Sequence, residues 1–83
     1  MPTVFRANGF EVRILLPPRE HGPPHVHISR SGEMVVIELP DGGMPLRIRT
    51  VTRRMTTATV VAAVRLVEEH TEMLLSEWRK YHG

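Results

Sequence analysis

The hydrophobic period of this chain changes once along its length, and that change limits what it can fold into. Up to about residue 51 the apolar residues alternate with polar ones, the period-two pattern of half-buried strands. From about Thr57 to His82 the pattern lengthens. Val60, Val64, Val67, Thr71, Leu74, Trp78 and Tyr81 recur at spacings of three and four, an apolar stripe along one helix. Strands followed by a helix predict an α+β fold: a small antiparallel sheet of about five strands with one long C-terminal α-helix packed on one face.

The turn signals divide the first part. Asn8-Gly9 is a strong hairpin dipeptide, because a type I′ turn needs positive φ at both central residues. After it, Phe10, Val12, Ile14 and Leu16 face one way, while Glu11 and Arg13 face the other. Pro17-Pro18 ends that strand. Four prolines within residues 17–24 make a stiff loop. His25–Arg30 and Glu33–Leu39 form the next two strands around a Ser31-Gly32 turn. Pro40-Asp41-Gly42-Gly43 breaks the chain, and Leu46–Val51 is the last strand. All strands thus lie within residues 3–51, and the helix over about 57–82, with Thr56 or Thr57 as N-cap. Arg79, Lys80 and His82 in its last turn suit the helix dipole. A continuous helix of this span would be about 39 Å long, wider than a small sheet. Either a partner or a second copy buries part of the stripe, through Leu74, Trp78 and Tyr81, or the helix breaks near His70-Thr71 and folds back. The other face of the sheet is left with nothing from the chain to cover it.

Eighty-three residues allow one domain, spanning 1–83. There is no cysteine, which excludes disulfides, thiolate metal sites, iron–sulfur clusters and cysteine nucleophiles. No apolar run approaches the ~20 residues of a spanning helix, and the N-terminus shows no secretory signal. A cytoplasmic domain without membrane contact is the expectation. Net charge is +2, unevenly placed. Arg47, Arg49, Arg53 and Arg54 put four positive charges into eight positions with no acid between them, a patch suited to phosphates or an acidic partner.

The sharpest motif is Pro23-Pro24-His25-Val26-His27. Residues two apart on a strand share a face, so His25 and His27 project together while Val26 and Ile28 pack opposite. Paired imidazoles titrate near neutral pH and can act as general acid and base. Beside arginines, with Arg13, Arg30, Arg47 and Arg49 as candidates, such a pair suits RNA, as contact or as catalyst. The same pair with His21 suits a divalent metal such as zinc or nickel, with Glu20 or Glu38 as alternative third ligands. A third reading is structural: histidines that hydrogen-bond their own loop in a homodimeric interaction domain. No Gly-x-Ser-x-Gly elbow, Walker loop or Gly-x-Gly-x-x-Gly is present, and whether the chain is an enzyme stays open. The C-terminal Tyr81 and His82 either extend an aromatic surface or, as chain ends more often do, fray.

Met1–Arg6 with Gly9-Phe10, the central Pro-Pro-His-Val-His-Ile and the terminal Trp78–Gly83 together resemble the domain-of-unknown-function family DUF4160. The resemblance spans nearly the whole chain in order and spacing. It carries over to Pro23, Pro24, His25, His27 and Trp78. It implies a short single-domain bacterial protein encoded beside a second small protein, commonly of the DUF2442 family, in an arrangement like a toxin–antitoxin pair. His21-Gly22 departs from it, standing where family members more often carry an acidic residue. The leading expectation is therefore a module component that works through a partner protein and RNA at the His-x-His face.

Overall fold

The computed structural model describes residues 3–15 and 22–82. Five antiparallel strands form one sheet in the order β1-β2-β3-β4-β5: β1 (Thr3–Ala7), β2 (Phe10–Arg13), β3 (His25–Arg30), β4 (Glu33–Glu38) and β5 (Arg47–Val51). Both two-residue hairpin turns meet the requirement read from the sequence. Asn8 and Gly9 have φ of 53° and 79°, Ser31 and Gly32 of 52° and 81°. The β3–β4 hairpin runs in unbroken register from His25↔Glu38 to Arg30↔Glu33. Leu16, the two prolines after it and the stiff loop up to His21 lie outside the described residues.

Alternation builds the core. Val12, Ile28 and Val35 are aligned across β2, β3 and β4, with Val26 beside Ile37 in the next row. All five, together with Ile14, have no exposed surface. Onto this face α1 (Thr57–Glu69) lays Ala63, Leu66 and Val67, and α2 (Thr71–His82) lays Leu74 and Trp78. The deepest arc of α1 is thus shifted from the expected stripe. Val60, Val64, Thr71 and Tyr81 are half-buried, whereas Ala63 is fully covered.

The single long helix is corrected to two. Straight, it would outrun the 32 Å longest dimension of the molecule. The break falls at His70 (φ −126°, ψ 21°), the position the folded-back alternative named. There side chains take over the carbonyls that continuing amides would have used. His70 Nδ1–H donates to Leu66 O at 2.9 Å, and Thr71 Oγ1 donates to Val67 O at 2.9 Å. The His70 ring also packs 4.9 Å from Phe5, which ties the junction to β1. Thr56 caps α1, its Oγ1 accepting from Thr59 N at 3.1 Å. From the junction α2 returns to the end of the sheet where β2 stops and β3 begins.

Candidate functional site on the open sheet face

The strand period that buries Val12 and Ile28 sends Glu11, Arg13, His27 and Ser29 to the other side of the sheet. Register makes neighbours of Arg13 and His27, and of Glu11 and Ser29. These residues line a hollow of about 820 Å³, with Arg6 and Arg30 at its rim. Among the described residues neither helix covers this face.

Its electrostatics centre on Glu11. Arg6 donates to Glu11 Oε2 through Nη2 at 2.7 Å and Nε at 3.0 Å, and Arg13 pairs with Oε1. The hydrogen bond from Arg6, joined by the charges of both arginines, outweighs desolvation and holds the Glu11 carboxyl below its ordinary pKa. Two guanidiniums thus share one carboxylate, leaving net positive charge. Arg13 Nε is buried without a hydrogen-bond partner among the described residues. Arg30 is fixed differently. It donates to Asn8 O at 2.9 Å and stacks 3.8 Å over the Phe10 ring, bridging the two hairpin turns.

His25 and His27 do lie together, their ring centroids 5.5 Å apart, with Val26 and Ile28 buried opposite. Their surroundings differ. His27 is half-buried at the hollow, whereas His25 is 1% exposed. His25 Nδ1 sits 2.9 Å from Pro23 O; a carbonyl accepts only, so Nδ1 carries the proton. The His25 ring packs 4.9 Å from Trp78, which stacks on His82 at 3.7 Å and 12°. His82 Nε2–H donates to Leu15 O at 2.7 Å. Of the two expectations for the C-terminus, these contacts match the aromatic surface: His82 stacks on Trp78 and hydrogen-bonds Leu15. Four rings run from the hollow to the C-terminal helix, with His25 in the supporting layer and His27 at the surface.

The other sequence candidates sit elsewhere. Arg47 and Arg49 pair with Glu38 at 3.7 and 3.0 Å on β5, and Arg53 and Arg54 are exposed in the turn that follows. Glu33 Oε1 pins that turn, accepting from Thr52 Oγ1 at 2.7 Å and Arg54 N at 3.1 Å. Leu74 and Trp78 are placed in the protomer's own core, and Tyr81 is half-buried against it. Of the metal candidates, Glu20 and His21 lie outside the described residues, and Glu38 is engaged by two arginines. Among the described residues no three ligating side chains cluster. Sequence reasoning missed Arg6 and Ser29. Arg6 was within reach: residues 6 and 11 are equidistant from the Asn8-Gly9 turn, so they must pair across the hairpin. His82 was also within reach, four residues after Trp78 on one helix face.

Fold and site together define a small α+β sheet domain with helices on one face and a charged hollow on the other. The chain belongs to the family described as Domain of unknown function (DUF4160), whose model matches residues 9–79. No curated protein and no solved structure matches it. Among the described residues no helix is long and apolar enough to cross a membrane.

Proposed function

We propose that the chain is a cytoplasmic RNA-binding component of a two-gene module of the toxin–antitoxin kind, and that RNA lies on the open sheet face over His27. The pairing of Arg13 with His27 inside the hollow carries this reading. A guanidinium offers a phosphate a fixed cation, and the imidazole beside it offers the neighbouring 2′-hydroxyl a hydrogen-bonding nitrogen. Arg6 and Arg30 supply further positive charge at the rim, and Leu15 and Met34 supply apolar surface for a base. His25, packed between His27 and Trp78, is a positioning residue. Membership of DUF4160 supports the two-gene half of the reading through the gene arrangement that the family resemblance implies.

The test is fluorescence anisotropy with a labelled single-stranded oligoribonucleotide of about twelve nucleotides. Affinity should fall steeply with salt, as phosphate contacts require. It should weaken in His27→Ala and Arg13→Ala, which sit on the open face. No affinity at low salt would overturn the proposal. Products distinguish the two modes. Cleavage to a 2′,3′-cyclic phosphate and a 5′-hydroxyl that His27→Ala abolishes makes His27 the acceptor of the 2′-hydroxyl proton, the departing 5′-oxygen taking its proton from water; binding without cleavage makes the face a recognition surface. Expression under a tight promoter gives the cellular counterpart: growth arrest that His27→Ala relieves supports a toxin.

The metal reading keeps one observation in its favour. A 5.5 Å ring spacing is compatible with two imidazoles on one tetrahedral ion, given metal–nitrogen bonds of about 2.0–2.1 Å. Thermal stabilisation by zinc or nickel, lost in His27→Ala, would support it. No shift would remove it.

A further inference from the structure

The strand β5 ends the sheet, so one of its sides meets no strand among the described residues. All five of its residues are exposed. Thr52 N–H donates inward to Met34 O at 2.9 Å, and backbone groups alternate sides along a strand. The N–H of Val51 therefore points outward. The β4–β5 register shifts between Val36 and Ile37, an irregularity that leaves Arg49 extra on β5, so Ile48 and Val51, although three apart, share the helix side with their register partners Ile37 and Val35, which are fully buried. Yet Ile48 is 44% exposed and Val51 46%: α1 packs over β4 and covers β5 only in part. The edge thus offers main-chain donors and acceptors and an aliphatic ledge.

Natural edges are commonly guarded by charge. Here the charge has one sign: Arg47, Arg49, Arg53 and Arg54 follow the edge, and Glu38 on the neighbouring strand offers one carboxylate to the first two. A second copy pairing at this edge would set the same four guanidiniums against each other, which disfavours a homodimer there. A strand carrying carboxylates would meet them with opposite charge.

We propose that the β5 edge accepts an extended segment of an acidic protein partner, alternating carboxylate and aliphatic residues, as a sixth strand. Main-chain hydrogen bonds to the outward groups of β5 supply affinity, the ledge of Ile48 and Val51 takes the aliphatic side chains, and the arginines select the acidic ones. This surface is separate from the hollow over His27 and does not depend on the RNA reading.

The probe is a capped peptide of about eight residues alternating Glu and Val, a typical strand length or slightly more. Its counterpart alternates Lys and Val. Binding is followed by amide NMR on the whole chain at low salt. The Glu-containing peptide should shift the Arg49 and Val51 amides and slow exchange of the Val51 N–H; the Lys-containing peptide should not. Arg53→Glu combined with Arg54→Glu, both exposed in the turn, should weaken the acidic peptide about tenfold or more and confer binding of the basic one. Absence of binding, equal binding of both peptides, shifts confined to the hollow, or unchanged affinity in the double variant would each overturn the assignment. The uncharged pair Arg53→Gln and Arg54→Gln should lose less RNA affinity than Arg13→Ala alone. If it loses more, the arginines contact nucleic acid and the peptide assignment fails. If RNA binding is absent from the parent while the acidic peptide binds β5, the open-face reading fails and the edge proposal stands.

Discussion

On the helix side of the sheet Val12, Val26, Ile28, Val35 and Ile37 have no exposed surface, whereas across the same strands Arg13, His27, Ser29 and Met34 keep contact with solvent. The first side is held by apolar area removed from water, at roughly 25 cal/mol per Å². The second is held by ion pairs, with Arg6 and Arg13 on Glu11, and pairs screened by solvent in this way contribute little. The difference teaches where change is tolerated. A side whose own contacts contribute little can exchange them for a ligand without unfolding the domain; the helix side cannot.

The largest break in this comparison should come from Trp78→Ala. Trp78 is 6% exposed and touches the core, His25 and His82 at once. Its loss should cost about 3–5 kcal/mol in urea unfolding. His27→Ala, on the open side and half-buried, should cost about 1 kcal/mol or less. Equal losses at the two positions would abolish the distinction between the faces.

His25 sharpens the comparison, because it shares a motif with His27 and the environment of the core. His25→Ala leaves a void against Trp78 and strips Pro23 O of its donor at 2.9 Å. A loss of about 2–4 kcal/mol is expected, from cavity and unmet hydrogen bond together. The double His25→Ala, His27→Ala variant therefore confounds function with folding, and His27→Ala alone is the informative one. A His25→Ala protein as stable as the parent would move His25 from the supporting layer to the working surface.

Legibility followed the same division. Strand alternation and the two hairpin dipeptides stood in the sequence because period and positive φ are local properties; β3 has its expected bounds and β2 and β4 begin where those signals put them, though β2 ends at Arg13, short of the expected Leu16. The helix break was ambiguous in sequence because its causes are long-range. His70 is an ordinary helix residue until Phe5 and the length of the sheet give its side chain something else to do. The His25–His27 adjacency was readable from spacing, but their unequal burial was not, since it depends on where Trp78 arrives from a segment more than fifty residues away. The hollow itself was half readable. Arg13 and His27 fell on the right face, while Arg47 and Arg49 were grouped with them although Glu38 holds both on β5.

The smallest expected effect is a pH dependence on the open face. Glu11 has a lower pKa in the folded chain than its ordinary value of 4.5, with the hydrogen bond from Arg6 as the largest cause. A carboxyl depressed by folding binds its proton less readily in the native state than in the unfolded one. Its contribution is therefore complete above the unfolded value and is lost as pH falls through the lowered one. Stability attributable to Glu11 should be constant from neutral pH down to about 5 and decline below about 4.5. Glu11→Gln keeps the shape of the side chain and removes the titration, so its urea midpoint should fall less steeply over that acid range than the parent's. Sodium chloride should narrow the gap between the two proteins, since the pairs that cause the shift are partly solvated. Parallel acid profiles for parent and variant would mean that Arg6 and Arg13 do not hold Glu11 in solution. Both guanidiniums would then stand in the hollow unpaired before any ligand arrives.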